Sequence, residues 1–262
     1  MTATTGLSPT VAAPVQRERG RRVPWGRYFT MPLVLAGVCL ALFLYVQSQT
    51  LDTIEARALS PARLSTAIWQ HVQLATVSTV FTLLIAVPLG VLMSRRFTRR
   101  IRPVIITILT LGQAVPTIAI LVLLAVAFLF LGFPAAILGL VLYAIVPVLL
   151  NTIVGLEQVD GTVLEAGRGM GMSRGTVLRR LELPLAVPVI LAGIRTALVI
   201  NVGTATLVTY INAGGLGDII VAGLTTNRFV VQLVGAVLTA VLALLIDYLA
   251  GIAEDMLRPK GL

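Results

Sequence analysis

Charge is what this chain has least of. Asp, Glu, Lys and Arg make up 12% of its 262 residues, where a soluble domain carries about a quarter. With 57% hydrophobic residues and a mean hydropathy of +0.97, that scarcity excludes an ordinary soluble fold. The only cysteine, Cys39, lies in an apolar run and the only histidine, His71, stands alone, so neither a disulfide framework nor a His/Cys metal site can be assembled. The only lysine, Lys260, is followed by Gly261-Leu262, which leaves no Gly-rich loop ending in Lys-Ser or Lys-Thr to cradle phosphates. Gly167-Arg168-Gly169-Met170-Gly171 follows no strand and has its third glycine misplaced for a dinucleotide fingerprint. No Ser/His, Asp/Asp or metal constellation exists for an intramembrane enzyme. The expectation is a chain with no catalytic residue, no metal ligand and no cofactor of its own.

What is present is an all-α pattern: a polytopic membrane helical bundle of about six spans, each about 20 residues long. The net charge of +9 is informative once it is placed along the chain. Arg17, Arg19, Arg21, Arg22 and Arg27 precede the first apolar segment, and Arg95, Arg96, Arg99, Arg100 and Arg102 follow the second. No aromatic or polar readers accompany them, so they do not read as a nucleic-acid patch. Short arginine clusters abutting spans mark the inner side of a membrane. With six spans, both termini fall on that side together with sixteen of the twenty Lys and Arg residues, against Arg57, Arg63 and Arg228 outside. Arg195 sits near the inner end of the fifth span.

Taken in order, residues 1–24 are expected to be a disordered cytoplasmic tail and 25–48 an additional N-terminal transmembrane helix spanning 31–46. A polar connection follows over 49–70, then a second span over 72–93. Residues 103–131 are too long for one untilted span, and Gly112-Gln113-Ala114-Val115-Pro116-Thr117 interrupts them with a proline kink. Gln113, Pro116 and Thr117 are therefore candidates for lining a pathway. Further spans are expected over 135–150, 188–211 and 230–250. The fifth carries Asn201, Thr206 and other small polar residues suited to a wet, weakly binding route, and Asn201 and Thr206 join the pathway candidates. Asp247 is the only acid well within a span, and Arg195 is its expected partner by depth.

Between the fourth and fifth spans the apolar residues of 156–184 fall at helical intervals among mixed charges, which predicts two short helices. Gly169 and Gly171 end the first, Ser173 caps the second and Pro184 stops it. The spacing Glu165-Ala166-Gly167, three residues, Gly171, nine residues, then Leu181, Glu182, Leu183 and Pro184 resembles the EAA loop of the membrane subunits of binding-protein-dependent ABC importers. Gly167 replaces the second alanine of that pattern and loosens the helix by about 1 kcal/mol. The resemblance implies a type I importer permease fold and a coupling loop seated in a cleft of a cytoplasmic ATPase.

From about His71 onward the chain is similar to permeases for quaternary-amine osmoprotectants such as glycine betaine, carnitine and choline. The residues that carry this are Val87-Pro88-Leu89-Gly90-Val91-Leu92, Gln113 with Pro116, Pro147 with Asn151-Thr152, Gly169-Met170-Gly171-Met172, Glu182-Leu183-Pro184-Leu185-Ala186, Ala192-Gly193-Ile194-Arg195-Thr196 and Gly214-Gly215-Leu216-Gly217-Asp218. Asn212 and Ala213 stand where glycines are expected. The resemblance implies a permease domain over 71–255 and a multi-pass location in the cell membrane. It also implies pairing with the same or a homologous permease, two ATPase subunits holding ATP and Mg, and an extracytoplasmic solute-binding protein. Few aromatics are available for a cation cage beyond Phe128, Phe130, Tyr143 and Tyr210, which places selectivity in the binding protein. The alternatives are an ABC permease for an amino acid such as methionine and, from another class, a self-powered secondary transporter.

Overall fold

The computed structural model describes residues 26–257, and the expected tail over 1–24 lies outside them. Every regular element among the described residues is helical. The α-helices are α1 (Gly26–Gln47), α2 (Thr53–Ala58), α3 (Pro61–Met93), α4 (Arg102–Gln113), α5 (Thr117–Ala127) and α6 (Phe133–Glu157). After them come α7 (Gly161–Gly169), α8 (Arg174–Val177), α9 (Leu183–Thr204), α10 (Leu216–Thr225) and α11 (Phe229–Leu257). Five helical stretches are long and apolar enough to cross a membrane, or six with α4 and α5 counted as one broken span.

The bundle is built around α6, which packs between α3 and α9. Ala86 and Met93 of α3, Ala144, Val148 and Leu149 of α6 and Ala197 of α9 form one buried cluster. Apolar burial cannot draw helices together inside lipid, so close backbone approach must do so. At the α6–α9 crossing a Cβ on Gly193 would stand 2.6 Å from the Asn151 Cβ and 2.9 Å from the Pro147 carbonyl oxygen. By contrast α1 leans on α11 and is almost wholly unburied, with Leu35 its one core residue among those described.

Three expectations are corrected by the structure. The polar connection over 49–70 is instead α2 followed by the opening turns of α3, which runs for 33 residues from Pro61. At 1.5 Å per residue α3 is about 50 Å long, well beyond the hydrocarbon core. Its outer turns are therefore free to be polar, and Thr66 bonds back to the Ala62 carbonyl at 2.8 Å.

The interrupted third span is not a kinked rod but two helices meeting at 85°. Ala114 and Val115 close α4 with tight bonds to Leu111 and Gly112, and Pro116 adopts an extended ψ of 133° that starts α5. Because a proline disfavours the helical conformation at the residue before it, the chain exits the helix there instead of bending within it.

Pro184 does not stop the second helix of the loop. Arg174–Thr204 is one continuous helical run, with a turn of π-helix over Leu178–Glu182 immediately before the proline. The π turn lets Leu183 donate to the Leu178 carbonyl, so the missing proline N–H is absorbed in a locally widened helix. The fifth span accordingly begins earlier than expected and its α-helix ends at Thr204, with a separate 3-10 turn over Leu207–Ile211. Asn212 there takes a left-handed φ of 60°, the conformation for which glycine was expected and which asparagine tolerates.

Candidate coupling loop and transport pathway

The loop over 156–184 is shaped by local capping. Asp160 accepts from the Thr162 N–H at 2.8 Å and starts α7. That backbone hydrogen bond, aided by the Thr162 side chain, holds the Asp160 carboxyl below the usual aspartate range. At the other end Met172 donates to the Gly167 carbonyl at 3.1 Å and Gly171 to the Arg168 carbonyl at 2.9 Å. This doubly bonded reversal needs a left-handed residue, and Gly171 supplies it at φ 83°. Ser173 then accepts from the Thr176 N–H at 3.3 Å and caps α8.

Gly167 is buried, and a Cβ there would meet the Leu181 Cδ1 at 2.6 Å. The glycine that replaces the pattern's alanine thus lets α7 lie closely against Leu181. Leu183 and Leu178 pack on Leu156, Ala186 and Ile190 at the bundle's end, while Pro184 is exposed. Glu165 and Ala166 are exposed, together with Val163 and, at 72% exposure, Met170. One face of the loop is therefore spent on the bundle and the other is presented outward. Two ion pairs fasten the loop: Glu182 with Arg95 at 2.6 Å, and Glu157 with Arg102.

The pathway candidates serve three different contacts. Gln113 donates its side-chain amide to the Tyr143 carbonyl at 2.8 Å. That carbonyl lies four residues before Pro147, which has no N–H to offer it, so Gln113 replaces the lost helical bond and ties the α4 end to α6. Pro116 and Thr117 form the elbow beside it, Pro116 exposed and Thr117 buried. Asn201 is fully buried between α9 and α3, donating to Thr79 Oγ1 at 2.9 Å, and its Oδ1 has no partner. Thr206 bonds back to the Gly203 carbonyl at 2.8 Å, and its own carbonyl presses so closely on Gly217 that no Cβ could stand there.

Arg195 and Asp247 meet in a two-pronged ion pair, Nε to Oδ1 at 2.5 Å and Nη2 to Oδ2 at 2.6 Å, with Glu254 at 3.9 Å from Nη1. Mutual neutralisation removes most of the cost of holding either charge at membrane depth.

The sequence gives His71 no role, and the structure shows it holding the fold. It is fully buried near the outer end of α3, and its Nδ1 accepts the Leu216 N–H at 3.2 Å. That contact sets the tautomer, so Nε2 carries the hydrogen and donates to the Val202 carbonyl at 2.9 Å. Gln70 accepts the Gly215 N–H at 3.1 Å alongside. Together they clamp the Gly214–Asp218 passage, where Thr209 also donates to Asp218, onto α3 and α9. The adjacent Gln70-His71 pair in a mainly apolar helix was the available signal.

The sequence pattern of the family described as "Binding-protein-dependent transport system inner membrane component" matches residues 86–260. The chain belongs to this family. Among its curated relatives, the carnitine transport permease protein OpuCD of Listeria monocytogenes is 44% identical over 192 residues, covering 73% of this chain and 85% of the relative. The choline transport system permease protein OpuBB of Bacillus subtilis is 39% identical over 194 residues, covering 74% and 88%. The osmoprotectant import permease protein OsmY of Salmonella typhimurium is 36% identical over 212 residues, covering 81% and 88%. The fold is likewise that of solved importer permeases. A chain of the inward-facing MetNI methionine ABC transporter superposes with a TM-score of 0.65 at 24% identity, covering 75% of this chain and 96% of that one. A chain of an amino acid ABC transporter solved with histidines gives 0.65 at 18% identity, covering 79% and 100%. As an inner membrane component, this binding-protein-dependent permease is a multi-pass membrane protein, and its spans are the helices described above.

Proposed function

We propose that the chain forms the solute pathway of an ABC importer for a small quaternary-amine osmoprotectant such as glycine betaine, carnitine or choline. The single observation that carries the solute class is the 36–44% identity to permeases named for carnitine, choline and osmoprotectants. The likeness to the methionine transporter, at 24% identity, carries the fold and not the solute. The permease pairs with a second copy or a homologous permease and receives solute from an extracytoplasmic binding protein. It couples through the loop over 156–184 to two cytoplasmic ATPase subunits, which hold the ATP and Mg. Both termini lie on the cytoplasmic side with that loop. What supports the coupling role is the outward face bearing Glu165, Ala166 and Met170 on a loop whose other face is packed against its own bundle.

The test is uptake of labelled glycine betaine, carnitine and choline into proteoliposomes holding the complex purified from its own host, with unlabelled methionine as competitor. Mutual competition among the quaternary amines and none from methionine is the expected result; competition by methionine alone would reverse the assignment. A Glu165→Lys variant of normal membrane insertion should lose the co-purifying ATPase. If it retains the ATPase, Glu165 is not part of the coupling face.

A further inference from the structure

Behind the coupling loop lies a cavity of about 240 Å³ that none of the contacts above explains. It is lined by Arg95, Arg168, Arg174, Gly175, Leu178 and Glu182. Three arginines from three elements thus line one space: Arg95 just past α3, Arg168 in the last turn of α7 and Arg174 at the start of α8. Glu182 is the only carboxylate among the lining residues, and it is buried and committed to Arg95 at 2.6 Å. Arg95 is held further by donation from Nε to the Val91 carbonyl at 3.2 Å. Arg168 and Arg174 are exposed and belong to none of the ion pairs among the described residues. The wall therefore carries three positive charges against one negative, and with Arg95 and Glu182 paired the surplus lies on Arg168 and Arg174.

A cluster of guanidinium forks around a small space matches the several oxygens of a tetrahedral oxyanion better than a monovalent halide. Since a water molecule occupies about 30 Å³ of liquid, the space holds one phosphoryl group with a few waters. The neighbouring turn carries exposed Arg96, Arg99 and Arg100 with Phe97 at 75% exposure, the composition of a segment resting at an anionic lipid interface.

We propose that this cavity is an anion site for a phosphoryl group, supplied by free phosphate or by a phospholipid headgroup. The bound group ties α7 and α8 to the inner end of α3. Occupancy stiffens the coupling loop against the bundle, so the anion adjusts how firmly the loop transmits movement. The cytoplasmic access of the site rests on the orientation given under the proposed function.

The experiment is calorimetric titration of inorganic phosphate into the full chain in maltoside micelles, at constant ionic strength set with chloride. The wild type is compared with Arg174→Gln, Arg174→Lys and Arg180→Gln, each first checked for an unchanged melting transition. Arg180 is exposed and outside the cavity lining, so its variant is the control. Saturable binding of one phosphate per chain is expected. Loss of a charge-assisted bond should weaken it about tenfold in Arg174→Gln, with partial recovery in Arg174→Lys and no change in Arg180→Gln. A second arm adds phosphatidylglycerol to the micelles: competition with phosphate identifies a headgroup as the ligand, and its absence identifies free phosphate. No saturable binding, or equal binding in Arg174→Gln and wild type, overturns the proposal. If phosphate fails to bind but added ATPase shields Arg174 from an arginine reagent, the arginines serve the partner protein and the site is not an anion site. An error in the transport assignment would show differently, as phosphate binding intact in a chain that brings no ATPase with it.

Discussion

His71 offers the sharpest test of how the outer end of the bundle is held. Its ring satisfies two buried backbone groups at once, the Leu216 N–H at 3.2 Å and the Val202 carbonyl at 2.9 Å. Replacing it by leucine keeps apolar bulk but leaves both groups without a partner and out of water. Each such orphan costs about 1–3 kcal/mol, so His71→Leu should destabilise the protein by about 2–6 kcal/mol if the two costs add. His71→Asn places an oxygen where Nδ1 stood and should keep the Leu216 contact while losing the Val202 one, recovering about half of the loss. His71→Gln reaches toward the Nε2 position and should recover the other half. The measurement is thermal unfolding of the purified chain in detergent, with solute uptake in parallel. The order wild type, then Asn and Gln, then Leu is expected in stability. If His71→Leu melts with the wild type, the two hydrogen bonds do not hold the Gly214–Asp218 passage and the clamp is refuted.

Gly193→Val should force α6 and α9 apart, since its Cβ would meet Asn151 and the Pro147 carbonyl backbone, and folded yield measured by size-exclusion profile should collapse. Gly203→Ala, with nothing within 4 Å of the new Cβ, should leave that profile unchanged or raise the melting temperature slightly, as an alanine gains about 1 kcal/mol over glycine inside a helix. Arg195→Gln and Asp247→Asn should each lower the melting temperature, since either leaves the partner's charge without its counter-ion. The double variant should lose less than the two singles summed, and strict additivity in a double-mutant cycle would show the pair uncoupled. The Asp160 cap contributes while its carboxylate is charged. Because its folded pKa is depressed, that contribution is present above the ordinary aspartate range and disappears as pH falls through the lowered value. Hydrogen exchange at the Thr162 amide, normalised for its intrinsic pH dependence, should lose protection over that acid range in the wild type. It should stay flat in Asp160→Asn, which caps without titrating.

The loop over 156–184 was the most legible part of the chain because its structure is local. Ser173 is bound to its amide partner three residues on, and Gly171 takes its left-handed turn beside the helix end it closes. Pro184 departs from the behaviour of isolated helices, in which a proline at the end of a short segment terminates it. Here Leu178 and Leu183 pack on Leu156 and Ala186, the helical run continues, and the backbone widens by one π turn instead. The polarity of Gln113 at membrane depth is legible in the sequence. Its task of replacing the bond that Pro147 removes from Tyr143 was invisible because the two lie 30 residues apart.

Composition and periodicity alone determined that this is an all-helical membrane protein and where most of its apolar helices lie, since transfer from water into lipid acts on each segment independently. The spacing of the loop residues alone determined its caps, because those bonds join neighbours. Tertiary structure decided the rest. The 85° elbow between α4 and α5 is opened by Pro116, but where α5 goes from it is fixed by its packing on α6 and on the Leu207–Ile211 turn. The clamp of His71 on Leu216 joins residues 145 positions apart, and the approach of α9 to α6 is settled by one missing Cβ at Gly193. In each case the energy lies in a contact between segments that are already stable alone, so no local pattern could carry it.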